Sequence, residues 1–218
     1  MNRHRMISLF GALGLTIALA APASAESASP APVLAGIAAR NPALQTYQAR
    51  VHVNVHMLNF PWLAPQLDGT SYYKRPNSYG VVFDRVPSYA HGINKVFDDV
   101  DNVAGWEKYC NISYEGVQAV DGHPMYVLRM TKKIYSDQLA DELAYVDPSS
   151  YQVARMDWHY RNGGEITMTQ TYRQQGQYSV VSQQHLDIHI PHVRAVADAT
   201  YGQYQTNVAV NDAVFTGQ

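Results

Sequence analysis

Residues 47–57 read YQARVHVNVHM. Val51, Val53, Val55 and Met57 fall on one side of a period of two, and His52, Asn54 and His56 fall on the other. An extended strand sorts side chains in this way, because successive Cβ atoms point to opposite faces. The stretch therefore predicts a half-buried β-strand, apolar on one side and wet on the other.

The chain downstream repeats the pattern. DGTSYYKRP (68–76) and SYGVVFDRV (78–86) read as the next two strands. NISYEGVQAV (111–120) and MYVLRMTKK (125–133) flank Asp121-Gly122, a strong hairpin signal. QLADELAYV (138–146) and YQVARMDWHY (151–160) flank the turn Asp147-Pro148-Ser149-Ser150, and EITMTQTY (165–172) follows Asn162-Gly163-Gly164. YSVVSQQHLDIHI (178–190) stops at Pro191, and VRAVADATYGQYQTN (193–207) precedes a short tail. Nine or ten strands with hairpin connections predict one antiparallel sheet, curled or closed. Helix is confined to two places. Residues 33–40 form a short helix stopped by Asn41-Pro42, and residues 87–106 form one or two short helices or a lid-like loop.

The N-terminus has the three parts of a secretory signal: Arg3 and Arg5, an apolar run from Met6 to Ala21, and the small-residue pattern Ala23-Ser24-Ala25. The run is short for a bilayer span, which needs ~20 apolar residues, and Pro22 ends it. Residues 1–25 are expected to be removed, residues 26–32 (ESASPAP) to be a flexible leader, and 33–218 to be one domain. The segment removed carries two arginines and no acid, so the formal charge falls from −2 to −4. No basic patch is visible, and no nucleic-acid partner is expected. The exported product is expected to be periplasmic or otherwise extracytoplasmic, and monomeric. Cys110 is the single cysteine. It has no internal partner for a disulfide, and it reads as a buried structural residue.

With the apolar sides turned inward, the interior is built from Val51, Val53, Val55, Met57, Tyr126, Leu128, Met130, Met156, Trp158, Ile166, Met168, Leu186, Ile188 and Ile190. Tyr160 and Tyr172 fall on the same side. Methionines and aromatics are frequent in this set, and methionine adapts to ligands of variable shape. Patterning alone leaves two architectures open. The sheet covers itself as a sandwich, or it encloses an apolar cavity or groove, which the shortage of helix favours.

HLDIHIPH (185–192) brings three histidines and an aspartate within eight residues. Imidazoles and a carboxylate at i and i+2 on a strand share a face and suit zinc or copper. His52 and His56 offer a second such pair. In both stretches, however, these residues alternate with the apolar ones assigned to the interior. They are therefore expected on the outer face, and no metal ligand or catalytic residue is assigned. The sequence also contains no G-x-S-x-G, no H-E-x-x-H and no phosphate-binding glycine loop.

At YYKRPN (72–77), with its flanking strands, the sequence resembles the LolA/LolB/RseB-like group of periplasmic proteins. The order carries the likeness over roughly Leu34 to Phe215: signal, short helix, the strand with Val51, Val53 and Val55, then DGTSYYKRP, VDPSSYQVARMDW and NVAVNDAVF. The resemblance implies an unclosed, strongly curved antiparallel β-barrel with a few short helices as a lid. It also implies lipid or lipoprotein acyl chains in an apolar cavity, no cofactor, no catalytic residues, and a membrane-bound receptor or donor as a further partner. A sensor role like that of RseB is the alternative. The arginine of Lys-Arg-Pro, which holds the lid in the LolA carrier, corresponds here to Arg75. Residues 87–109 depart from the LolA pattern, which favours general lipid binding over lipoprotein sorting.

Overall fold

A computed structural model describes residues 29–76, 78–86, 103–136 and 138–215. The signal segment lies outside these residues, as does most of the 87–106 stretch read as a lid.

Ten strands form one antiparallel sheet: β1 (Thr46–Met57), β2 (Gln66–Lys74), β3 (Ser78–Phe83), β4 (Cys110–Val120), β5 (His123–Lys132), β6 (Leu139–Val146), β7 (Val153–Tyr160), β8 (Glu165–Gln175), β9 (Tyr178–Ile190) and β10 (Val193–Thr206). Their spatial order is β3-β2-β1-β10-β9-β8-β7-β6-β5-β4. β4 to β10 run as a meander, and β10 returns to pair with β1. The edges β3 and β4 do not meet, so the sheet is a curved, unclosed barrel. Among the described residues the helices are short: α1 (Ala31–Ala38), α2 (Val103–Tyr109) and a 3₁₀ turn at Asp212–Phe215.

The turns follow their chemistry. Asp121 and Gly122 both take positive φ, 50° and 80°, as a two-residue hairpin loop of the right hand requires. Gly116 (φ 94°) sits where the β4–β5 register slips, and such a bulge bends the strand. α1 packs where the Tyr151 ring covers Gly36, and a Cβ there would collide with the ring.

The Asp147 turn carries a pH-dependent element. Its Oδ1 accepts bonds from the backbone N–H groups of Ser149 (2.9 Å) and Ser150 (2.7 Å) and from both hydroxyls (2.6 and 2.9 Å). These bonds, that from the Ser149 hydroxyl foremost, hold the Asp147 carboxyl below its ordinary value against partial desolvation. A depressed folded pKa contributes stability that is complete above the unfolded value near 4 and is lost as pH falls through the folded one. Asp147→Ala is expected to cost about 1 kcal/mol at neutral pH and less in strong acid. Urea unfolding from about pH 6 to pH 2 checks this, and an equal cost at both ends would refute it.

The main core lies on the concave face. Val51, Val53, Val55, Leu128, Met130, Met156, Ile166, Met168 and Leu186 are buried there, and Met57, Tyr126, Trp158, Tyr160, Ile188 and Ile190 pack against them half-buried. Cys110 belongs to the same cluster. A smaller cluster of Val127, Leu143 and Tyr145, opposite in parity, covers part of the convex face.

Candidate functional site

At the end of the barrel nearest α1, the concave face is not filled. A groove of about 370 Å³ opens between the helices and the sheet. Ile37, Ala38, Arg40, Asn41 and Leu44 form one wall, and Val103, Ala104 and Glu107 of α2 form another. Tyr47, Tyr73, Tyr79, Tyr172, Val180 and Val181 line the sheet side, with Arg75 and Pro76 at the β2–β3 turn.

The tyrosine wall is a cross-strand ladder. Tyr47 pairs in register with Tyr73, and Tyr73 with Tyr79. Tyr47 stacks on Tyr73 with centroids 5.4 Å apart and meets Tyr204 edge-on at 5.2 Å. Burial first, then the Tyr79 and Tyr204 phenols, pushes the Tyr47 hydroxyl well above its ordinary value. It therefore stays neutral across the physiological range.

The segment after α1 is tied to the sheet by Asn41, which sits in the left-handed region (φ 49°). Its Nδ2 donates to Ser179 O (2.7 Å) and its Oδ1 accepts from Ser179 N (2.9 Å), so the amide pairs with β9 as a neighbouring strand would. Arg75 Nη2 donates to the carbonyls of Arg40 (3.4 Å) and Asn41 (3.1 Å), just beyond the helix end. Arg40 lies over the Tyr172 ring, its Cζ 4.6 Å from the centroid.

No protein-family model matches the sequence, and no curated protein does. Solved structures do match. A DUF1329 family protein from Desulfovibrio piger superposes with a TM-score of 0.64 at 15% identity, covering 85% of this chain and 98% of that one. A domain assigned to outer membrane lipoprotein sorting from Vibrio parahaemolyticus gives 0.63 at 10% identity, covering 85% and 95%. A LolA superfamily protein from Nitrosomonas europaea gives 0.62 at 11%, covering 87% and 98%. The chain has a LolA-like fold.

In this LolA-like barrel, the residues assigned to the interior from sequence separate into groups. Tyr172, from the inward side, lines the groove, as does Arg75, which the resemblance had made a lid contact. Met156, Trp158 and Tyr160 line a second, smaller cavity of about 260 Å³, with Trp106, Cys110, Lys132 and Glu142. Lys132 and Glu142 form an ion pair there (2.8 Å). Val51, Val53, Val55, Met57, Tyr126, Leu128, Met130, Ile166, Met168, Leu186, Ile188 and Ile190 belong to the core packed around both spaces. α2 lies between the two spaces. Val103, Ala104 and Glu107 share the helix face toward the groove, while Gly105, Trp106 and Tyr109 face the other.

Sequence reading did not single out Arg40, Asn41, Leu44, Tyr47, Tyr73, Tyr79, Val180 or Val181 as site residues. The available signal was the tyrosine count, 16 in 218 residues, together with its concentration near the ends of β1, β2 and β3.

The histidine stretches face outward. His185 Nδ1 lies 2.7 Å from Asp198 on the neighbouring strand, and His52 Nδ1 lies 2.9 Å from Asp68. His189 and His192 are exposed. Among the described residues, the trio with metal-compatible spacing is a different one, Asp157, His159 and Glu165. Asp157 is already engaged there by Arg155 (2.8 and 3.0 Å) and by the Thr167 hydroxyl (3.0 Å). His159 Nδ1 is held by Asp141 at 2.5 Å.

Proposed function

We propose that the chain is an exported binding protein that shelters one acyl chain in the groove between α1, α2 and the tyrosine wall. The observation carrying this reading is a half-open space with mostly apolar and aromatic walls, the larger of the two spaces described, beside a packed core. Its volume lies at the small end of the range for ligand pockets, which suits a single chain. Each buried CH₂ contributes about 0.8 kcal/mol, so a chain of about a dozen carbons has a gross driving force large enough to offset the cost of association. The fold shared with a LolA superfamily protein and a lipoprotein-sorting domain supports a carrier or binding role. The signal-like N-terminus supports a periplasmic or other extracytoplasmic location, with residues 33–218 acting as one lipid-binding domain. Among the described residues no helix is long and apolar enough to cross a membrane. The core residues named from sequence, Val51 to Ile190, support the barrel in this reading without lining the groove, and catalysis and cofactors have no part in it.

The test is titration of purified residues 26–218 with a fluorescent fatty acid, alongside mass spectrometry of lipid carried through purification. Saturable binding is expected, weakened about tenfold or more by Val180→Trp, which fills the groove. Absence of both binding and co-purified lipid would remove the proposal.

A second reading, a sensor whose lipid occupancy alters contact with a membrane partner, draws on the β1–β2 loop. Leu58, Phe60 and Trp62 are exposed there, Trp62 at 81%. Equal retention of lipid-loaded and lipid-free protein on inner-membrane fractions would dismiss it.

A further inference from the structure

We propose that the end of the barrel away from the groove docks on the surface of a bilayer that contains anionic lipid. The inference goes beyond the acyl-binding reading and does not depend on it. It makes the lipid surface itself, and not a membrane protein, the partner of the exposed β1–β2 loop.

Topology gathers the surface. β1 begins beside the groove at Tyr47 and ends at Met57, so the β1–β2 loop lies at the opposite end. The antiparallel register carries the β9–β10, β7–β8 and β5–β6 connections to that same end: Met57 pairs with Ala195, His189 with Glu165, and Tyr160 with Leu139. Among the described residues eight large apolar side chains are exposed. Six of them stand at this end: Leu58, Phe60, Trp62, Tyr109, Ile134 and Tyr135. The other two, Val82 and Val117, are single residues on the edge strands. Scattered apolar residues are ordinary on a surface, whereas a cluster gathered at one end marks a contact region.

The cluster is held out by ordered backbone. Leu58 N donates to Arg194 O (2.7 Å), and Leu63 N donates to Phe60 O (2.8 Å). The Asn59 amide clasps the neighbouring turn, donating to His192 O (2.7 Å) and accepting from Arg194 N (3.2 Å). Trp62, 81% exposed, meets Phe60 edge-on on this loop. Across the barrel mouth Arg161 Nε donates to Ser136 O (2.8 Å), and its guanidinium lies over the Tyr135 ring. Ile134 and Tyr135 nevertheless remain 84% and 76% exposed. Loops already ordered lose little conformational freedom on binding.

Residue type and charge select the occupant. Lys108, Lys133, Arg161 and Arg194 are exposed at this end, and among the described residues none of them is paired with an acid. Their contacts are with the Tyr109 and Tyr135 rings and with backbone carbonyls. The acids in the same segments are Glu165, Asp137 and Glu107, and Glu107 turns toward the groove. The rim is therefore cationic on a chain whose formal charge is −2. Tryptophan and tyrosine beside lysine and arginine is the combination that settles at lipid head-group level, with rings entering the acyl boundary and cations meeting anionic head groups.

The experiment is flotation of residues 26–218 with protein-free vesicles of phosphatidylcholine, with or without phosphatidylglycerol. Binding to the anionic vesicles is expected to be about tenfold or more tighter than to the neutral ones and to weaken as salt rises. Tryptophan emission is expected to shift to the blue and to be quenched by brominated acyl chains. Trp62→Ser is expected to abolish both changes, because Trp106 is buried and Trp158 packs against the core. Trp62→Ser combined with Ile134→Ser is expected to weaken binding about tenfold or more. Lys108→Gln combined with Arg194→Gln is expected to remove most of the preference for anionic vesicles. Among the described residues none of these four side chains holds a hydrogen bond in the fold, so both pairs are expected to keep the parent's urea midpoint. If the protein ignores both kinds of vesicle, or binds them equally, the inference falls whatever the fatty-acid titration gives. It falls too if Trp62→Ser with Ile134→Ser binds as the parent does. Retention on native membranes without binding to vesicles would replace it with a protein partner.

Discussion

Replacing Leu186 with alanine is expected to lower the unfolding free energy by about 2–5 kcal/mol, the range for deleting a buried leucine side chain. Leu186 is 0% exposed, and it sits in register with Met168 on one side and Ala197 on the other. The cavity left behind would be walled by three strands held by backbone hydrogen bonds, so little collapse can recover the lost contacts. His189→Ala, three residues along the same strand but on the convex face, is expected to stay within about 0.5 kcal/mol of the parent. Chemical denaturation of both variants, with m-values compared, makes the measurement. Equal costs at the two positions would mean that β9 is turned over by one residue, which would carry its whole apolar set to the other face.

Gln184→Ala is expected to cost about 2–4 kcal/mol, from the hydrogen bonds lost and from the space vacated. Gln184 and Gln170 are buried polar residues at 3% and 6% exposure on the core face. The Tyr201 hydroxyl donates to Gln184 Oε1 (2.6 Å), and Gln184 Nε2 donates to Gln170 Oε1 (3.0 Å). Gln170 Nε2 in turn donates to Val153 O (2.7 Å) and to the Tyr172 hydroxyl (2.7 Å). Removing Gln184 takes an acceptor from Tyr201 and a donor from Gln170 in one step. Gln183→Ala, at an exposed neighbouring position, is the control and is expected to lie within about 0.5 kcal/mol. The network ends on Tyr172, which carries Arg40 at the groove mouth. A Gln184→Ala protein that remains folded is therefore expected to bind acyl ligands more weakly than Gln183→Ala does. Equal stability of the two variants would show that the chain of bonds contributes nothing net.

The fold was legible because its cause is local. Alternation in YQARVHVNVHM and in HLDIHI states which side chain faces which way, and Asp-Gly or Asn-Gly-Gly states where the chain reverses. Neither statement needs a distant residue. The outward place of His185 and His189 follows from Leu186, Ile188 and Ile190 alone. Residues 33–40 as a helix stopped at Asn41-Pro42 came from the same kind of local steric argument, and the observed α1 is displaced by two residues.

The groove is a different kind of quantity. Alternation assigned Val51, Leu128, Met168 and Leu186 to the inside, but whether an inside position is packed or lines a space depends on the curvature of the whole sheet. Arg40, Arg75, Glu107, Tyr172 and Val181 come from five separate segments and are brought together only by that curvature and by the seating of α1 and α2. The polar core residues Gln170 and Gln184 were likewise hidden, since a buried glutamine is tolerable only when its partners are already in place. The sequence by itself therefore determined the strands, their faces and their turns, which are set by backbone period and steric preference. The tertiary structure alone decided where the interior is left unfilled and which charges stand at its mouth, because empty volume is a property of all ten strands together.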